Sequence, residues 1–434
     1  MIDNLDAALR DGNTTLPKLL RHWAQGFPDA LAFREKDYGI WNRMSWQHYL
    51  ETARRFAHGL KALGFEKGDR LAIASEDSPH WMFSDLATQA IGGIVVGIYP
   101  TNPWPELQYI VHHSNSKFVV CGDQEQVDKV LDAMNKHATG LPDLVKIICA
   151  DMKGMRGYKH DQLMSFDDVL ELGDQYAAAS TQNASTFDRA IEDTRPDDTC
   201  MLVYTSGTTG PPKGAMLSHR NLIVTVDKLK THFTLDRHNY EVVCYLPLCH
   251  VAERAFSTVL HLLTGGVVNY AESIDTVAVN LREIAPTVFL GVPRIWEKLQ
   301  QGILIRMQDA SRFQRWAFKR CFDAGRRLFE KVEAQGGRRS LSDRLHFFVL
   351  WLLMFRNLQK FIGLDRMQCG FCGGASVSPE VLKFFRILGI PVYQVYGMTE
   401  SGGVIFFQHE KAVKLGATGL PINGLNWKIA DDGE

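Results

Sequence analysis

Along this chain, short apolar runs alternate with stretches in which apolar residues recur at helical spacing. Arg70–Ala74 (RLAIA), Ile94–Tyr99 (IVVGIY), Lys117–Cys121 (KFVVC) and Val145–Cys149 (VKIIC) read as buried strands, with His80–Ile91 and Glu106–His113 as helices between them. The pattern resumes with Thr199–Tyr204, Val242–Leu246, Val267–Tyr270, Val288–Leu290, Met367–Cys372 and Val392–Val395. So long a succession of strand, helix and strand predicts an α/β fold, with largely parallel sheets covered by helices. Asp151–Thr194 is more polar and reads as a surface excursion between two α/β halves. After about Lys411 the sequence becomes Gly-rich and alternating (TGLPINGLNWKIADDGE), which predicts the first hairpin of a β-rich unit. The expected layout is a first α/β subdomain over 1–194, a second over 195–410, and the start of a β-rich subdomain over 411–434. The last residues, Asp431-Asp432-Gly433-Glu434, form a turn signature with no strand after it, so a truncation is expected there.

Composition narrows the picture. At 434 residues the chain exceeds one ordinary core. Its 45% hydrophobic and 22% charged content is that of a soluble globular protein. A formal charge of -1 gives no overall attraction to nucleic acid or to an anionic membrane, so any such attraction would have to be local. The eight cysteines are scattered except for Cys369 and Cys372, and no second CxxC or CxxH accompanies that pair. Within an apolar strand both read as small apolar residues, in a reduced, cytosolic compartment. The N-terminus (MIDNLDAALRDGNTT) has neither the basic start nor the apolar core of a signal peptide. The strongest apolar run, Leu345–Phe355 (LHFFVLWLLMF), falls short of the roughly 20 residues that span a bilayer.

The sharpest chemical signal is Thr205-Ser206-Gly207-Thr208-Thr209-Gly210-Pro211-Pro212-Lys213-Gly214. It follows an apolar strand and precedes a helix expected to be capped by Ser218, with Arg220–Leu229 as its body. Glycines and short hydroxyl side chains leave room for N–H and O–H donors around phosphate oxygens, and Lys213 adds a mobile positive charge. It is not a Walker loop, which needs Gly-Lys-Ser/Thr opening directly into a helix, whereas here Pro212 precedes the lysine and Gly214 follows it. Three further strings stand at strand ends: Leu246-Pro247-Leu248-Cys249-His250, Gly373-Gly374-Ala375-Ser376 and Tyr396-Gly397-Met398-Thr399-Glu400.

Together these strings resemble the motifs of the adenylate-forming superfamily, which comprises acyl- and aryl-CoA synthetases, luciferases and peptide-synthetase adenylation domains. The resemblance covers nearly the whole chain. It implies that the 205–214 segment is the ATP phosphate loop and that His250 lies between the carboxylate substrate and the α-phosphate. Gly373–Ser376 would form the adenine-pocket turn and Tyr396 would stack on adenine, with Gly397 and Met398 beside it. Thr399 would meet the α-phosphate, and Glu400 would bind Mg²⁺ with help from Thr205. A hard carboxylate oxygen suits that ion, which uses few protein ligands plus phosphates. The catalytic set so implied is His250, Lys213, Thr399 and Glu400.

Asn357–Phe407 and Val292–Lys298 resemble the long-chain fatty acyl-CoA synthetases, particularly the bacterial and bubblegum-like branch, where the second segment borders the tunnel for the hydrocarbon tail. Arg254 departs from the pattern, standing where some members place an aromatic gate four residues after the histidine. The implied substrates are a long-chain fatty acid, ATP and coenzyme A; no nucleic acid partner is expected. In the family a C-terminal domain completes the catalytic site. Its absence here implies that the 434 residues alone form little or no acyl-CoA. Other adenylating activities, such as aryl- or medium-chain acyl-CoA ligation or amino-acid loading, remain alternatives, as does a non-catalytic ATP- or acyl-binding module. Between Arg306 and Arg344, eleven Lys/Arg face five Asp/Glu with aromatics interleaved, just before the apolar run. Residues 306–355 could therefore dock on anionic lipid or be a solvated pair of helices over the core.

Overall fold

The computed structural model describes residues 13–205, 210–409 and 413–431. Among them the chain divides into two compact units, and each draws on separate pieces of sequence. The first comprises residues up to Asp227, Cys244–Tyr270 and Thr399–Gly403; the second comprises Lys228–Val243, Ala271–Met398 and the residues from Val404 onward. The units therefore do not follow single cuts in the sequence.

In the first unit the strands are β1 (Leu31–Asp37), β2 (Ile40–Ser45), β3 (Arg70–Ala74), β4 (Ile94–Ile98), β5 (Ser116–Cys121), β6 (Lys146–Cys149), β7 (Leu163–Ser165), β8 (Thr199–Thr205) and β9 (Lys213–Ser218). Seven of them form one sheet in the order β7-β6-β5-β3-β4-β8-β9. All its pairings are parallel except the last, in which β9 runs back along β8. The parallel core strands are apolar because helices such as Pro79–Ala90 and Trp104–His113 cover them. Strand β1 pairs antiparallel with β2 and parallel with β11 (Val267–Tyr270). Tyr38 and Gly39 join β1 to β2 with φ of 47° and 79°, a two-residue turn whose twist suits a hairpin.

The stretch 151–194 departs from expectation. It holds β7 and helices Phe166–Ala179, Thr181–Ala184 and Thr186–Asp193, with Phe166, Val169, Phe187 and Ile191 buried. A reciprocal cap between Ser165 and Asp168 starts the first helix. Its apolar residues at 166, 169, 170 and 173 then face helix Trp46–Ala62. The two helices meet at glycines: a Cβ on Gly173 would lie 1.9 Å from the Arg55 carbonyl oxygen, and one on Gly59 would lie 2.1 Å from that of Val169. Polar outer faces hid this packing in the sequence.

In the second unit, after β10 (Glu241–Cys244), where the chain passes into the first unit, a sheet is built from β12 (Val288–Gly291), β13 (Cys369–Cys372), β14 (Val392–Met398), β15 (Gly403–Phe407) and β16 (Leu420–Pro421), in that order. The β12-β13-β14 pairings are parallel, and β16 pairs antiparallel with β15 to begin the β-rich part. Cys369 and Cys372 lie buried within β13 as apolar filling. Trp296, in helix Pro293–Gln308, is a core residue whose indole N–H donates to the carbonyls of Gly291 and Phe371.

One further feature of the first unit positions the candidate site. The segment 246–250 has no sheet partner of its own, and two acidic side chains hold it instead. Asp77 accepts the Leu248 N–H at 2.7 Å, and Glu253 accepts the Leu246 N–H at 3.3 Å and the Ser257 hydroxyl. Burial pushes the Asp77 carboxyl well above its usual range and Glu253 up to about 7. Gly97 in β4 leaves the space that the segment occupies, since a Cβ there would come within 2.8 Å of Cys249.

Two outcomes follow from these contacts. Gly173→Ala forces the two helices apart, and overpacking of this kind costs about 1–3 kcal/mol. Urea denaturation should show the midpoint falling accordingly, and an unchanged midpoint would contradict the close approach. Glu253 carries a pH signature. Folding raises its pKa from 4.5 to about 7, so across that window the folded chain holds a proton the unfolded chain has released. Stability therefore falls as pH rises through the window and levels off above it. Glu253→Gln removes this slope, gaining up to about 3 kcal/mol on wild type between pH 5 and pH 8. Parallel stability curves for the two proteins would show that the carboxyl titrates normally.

Candidate functional site

The carboxyl ends of parallel strands β4 and β8 open into a cleft of about 390 Å³ in the first unit. Open α/β sheets bind ligands at such strand ends. Gly97, Tyr99, Val203, Tyr204 and Thr205 come from the two strands and their ends. Pro212, His250 and Thr399 close the cleft from other parts of the chain.

Thr205 is the last residue of β8 and Lys213, its register partner, is the first of β9. The two strands of a hairpin thus bracket the phosphate-loop string, and β9 lies between it and helix His219–His232. The Asn221 N–H donates to the Ser218 hydroxyl, which caps that helix as expected. Ser206, Gly207, Thr208 and Thr209 lie outside the described residues. Gly210 has φ +89°, a backbone state that few other residues adopt. Both sides of the hairpin are tied down: the Tyr109 hydroxyl donates to the Pro212 carbonyl at 3.0 Å, and Tyr204 of β8 bonds the His113 ring at 2.8 Å. Lys213 itself is exposed.

His250 presents an exposed edge at the cleft, while crowding around the rest of its ring holds its pKa below the ordinary histidine value. Its Nδ1 accepts the Ala252 N–H at 3.1 Å. The neutral ring therefore carries its proton on Nε2, as a hydrogen-bond donor. Arg254, at the gate-like position, is buried. It bonds Asp85 at 2.8 Å, and its guanidinium lies over the Trp81 ring at 4.4 Å from the centroid. It fills that part of the core as an ion pair stacked on an aromatic ring.

Thr399 is buried and begins the short turn Thr399–Ser401. The turn is seated on the His219–His232 helix through the Thr225 hydroxyl, which donates to the Ser401 carbonyl at 3.2 Å. Gly402, at φ +73°, lies where a Cβ would stand 3.2 Å from the Asn221 carbonyl. This seating leaves Glu400 exposed beside the cleft residue Thr399.

The remaining motif residues belong to the second unit. Gly373–Ser376 leaves the end of β13 and Tyr396–Met398 completes β14, its parallel neighbour. Gly373 is pressed against Val395, where a Cβ would lie 2.7 Å from a methyl group, and Gly374 takes φ +84°. Gly374, Ala375 and Ser376 are exposed, as are Tyr396, Gly397 and Met398. Tyr396 is 49% exposed, and its ring meets that of Phe406 in an edge-to-face arrangement at 6.1 Å.

Sequence reasoning missed Asp77, Glu253, Tyr99 and Gly97. Only Gly97 left a signal, as a lone glycine inside an apolar strand.

Comparison with known proteins places the chain in a family and agrees with its fold. The AMP-binding enzyme family matches residues 20–434. A long-chain-fatty-acid–CoA ligase of Xenopus laevis, ACSBG2, is 31% identical over 96% of this chain and 55% of its own length. Rat ACSBG1, with the same description, is 30% identical over 93% of this chain and 54% of its own. The chain thus spans about half the length of these relatives. Among solved structures, the anthranilate CoA ligase AuaEII with anthranoyl-AMP superposes at TM-score 0.68 and 16% identity, covering 97% of this chain and 67% of that one. The N-terminal domain of FACL13 from Mycobacterium tuberculosis superposes at 0.66 and 19% identity, covering 97% and 86%. These structures share the adenylate-forming fold, with its parallel-rich sheets covered by helices. From the family match, and with the fold in agreement, the chain belongs to the AMP-binding enzyme family.

Proposed function

We propose that this chain carries the ATP- and acyl-binding face of an AMP-forming long-chain fatty acid–CoA ligase. The observation that carries the reading is the meeting of Thr205, His250 and Thr399 on one cleft at the ends of β4 and β8. The long-chain assignment draws support from the ligase relatives and from the Val292–Lys298 and Asn357–Phe407 segments.

In the proposed reaction a fatty carboxylate attacks the α-phosphorus of ATP in line. Pyrophosphate leaves and acyl-AMP forms; the thiol of coenzyme A then displaces AMP to give the thioester. A carboxylate at neutral pH has already lost its proton, so His250 orients it by donating from Nε2 and removes nothing. Two anions must approach one another in the first step, so charge neutralisation is the main requirement. Lys213 and the donors of the phosphate loop meet it from the protein side. Among the described residues no group of three or more His, Cys, Asp or Glu could hold a metal. One exposed carboxylate, Glu400, with the Thr205 hydroxyl nonetheless fits Mg²⁺, which keeps several waters and binds largely through substrate phosphates. The ion would supply Lewis-acid neutralisation of phosphate charge. In the second unit, the Gly373–Ser376 turn would let backbone lie against adenine, and Tyr396 would stack on it.

Exchange of labelled pyrophosphate into ATP, measured on the full-length protein that contains these residues, tests the class. It should require a long-chain fatty acid and fall off with benzoate-like acids and amino acids. Exchange driven only by aryl or amino acids would move the protein to another adenylating activity, and nucleotide binding with no exchange would mark a non-catalytic module. Glu400→Ala should slow adenylation by about 100-fold or more, the usual loss when one well-placed stabiliser of reaction charge is removed. Because Glu400 is exposed, its thermal midpoint should stay unchanged. Near wild-type adenylation by this variant would remove Glu400 from the site.

A further inference from the structure

The helical stretch formed by Leu341–Leu350, Trp351–Phe355 and Arg356–Ile362 is apolar on both of its faces. A surface helix ordinarily has one apolar face, turned to the core. The inner face here has that role. Leu350, Phe355, Leu358 and Ile362 are buried, and Phe355 fills the space left by Gly325 in helix Arg312–Ala334, where a Cβ would stand 2.8 Å from the ring. Gln359 donates to the Leu388 carbonyl, and Asp343 is buried in a 2.7 Å bond to Lys331.

The outer face holds Leu341, Leu345, Phe348, Val349, Leu352 and Leu353, between 45% and 84% exposed. Their spacing of four, three, one, three and one places them on a single stripe without a charged residue in it. Six large exposed apolar side chains in one stripe are more than scattered surface residues account for. The flanks are basic. From Arg338 to Ile362 there are five Lys/Arg and one acidic residue, the buried Asp343. Arg338, Arg339 and Arg344 stand exposed near one end of the stripe, Arg356 and Lys360 near the other. On the neighbouring helix the exposed Phe313 and Trp316 rings stack 5.9 Å apart, with Arg320 beside Trp316.

We propose that this outer stripe is a docking surface for an anionic lipid bilayer, in which the helix lies parallel to the membrane plane. The leucines and Phe348 would enter the headgroup–acyl boundary, and the arginines would reach outward to lipid phosphates. No described helix is long and apolar enough to cross a membrane, so a lying orientation is the one open to it. Charge complementarity selects the occupant. A second copy meeting this face about a two-fold axis would bring the same basic flanks together, whereas an anionic lipid surface neutralises them. The proposal does not depend on the acyl-ligase reading.

Vesicle flotation of the full-length protein provides the test, using phosphatidylcholine alone and phosphatidylcholine with phosphatidylserine. Wild type should float with the mixed vesicles and far less with the zwitterionic ones, and added salt should weaken the binding. Leu345→Glu combined with Leu352→Glu should reduce partitioning at least about tenfold, because two apolar anchors are lost and two negative charges added. Arg338→Glu with Arg344→Glu should reduce it roughly fivefold or more for each reversed charge. All four side chains are exposed, so thermal midpoints should hold, and the wild-type contrast between vesicles needs no variant. Three results would each overturn the proposal. One is equal or absent binding to both vesicle types. Another is binding that survives the leucine changes while responding to the arginine changes, which would place the contact on charge alone. The third is a wild-type dimer, dissociated by the leucine changes, with no vesicle binding, which would assign the stripe to a second copy.

Discussion

The candidate cleft depends on backbone N–H groups being accepted by buried carboxyls. Segment 246–250 carries His250 to the ends of β4 and β8 without ladder partners in that sheet. Asp77 and Glu253 take the N–H groups of Leu248 and Leu246 in place of a neighbouring strand. Burying such carboxyls is unfavourable, as their raised pKa values record, and the bonds they accept offset part of that cost. Gly97 is the steric complement, because only a residue without a side chain lets Cys249 lie against the sheet. With the segment fixed there, the Ala252 N–H sets the tautomer of His250 and directs its remaining proton outward.

Much of this fold was legible because buried parallel strands are almost wholly apolar, as RLAIA, IVVGIY and KFVVC are. Elements with one wet face were harder to read. Strands β1 and β2 interleave charged residues with apolar ones, and Tyr38 at positive φ gave their turn an unexpected residue. Helix Phe166–Ala179 shows solvent its acidic side, so its glycine contact with the Trp46–Ala62 helix was invisible until the two were seen together. Within the site, local strings announced themselves, since glycines and hydroxyls in tight succession have few structural uses. Asp77 gave no sign, because its partner Leu248 is 171 residues away in sequence.

In the second unit Gly373 follows the last residue of β13 and Tyr396 lies near the end of its parallel neighbour β14, so a backbone turn and an aromatic ring come from the same end of one sheet. The cysteines of β13 lie immediately before that turn and serve only to fill the strand. Arg254, which departs from the family pattern, is held in the core by its bond to Asp85 and by the Trp81 ring beneath its guanidinium.

The interrupted course of the chain has a temporal consequence. The first unit closes its cleft with Thr399, yet most of the second unit's sequence lies between Tyr270 and that residue. On a ribosome the sheet from β3 to β9 could form early, while the wall supplied by Thr399–Gly403 would still be unmade. Pairing ends so far apart in sequence delays the step that completes them. A nascent chain would therefore pass through a long interval with the strands in place and the pocket open on one side, when the His219–His232 helix still lacks the turn that later seats on it.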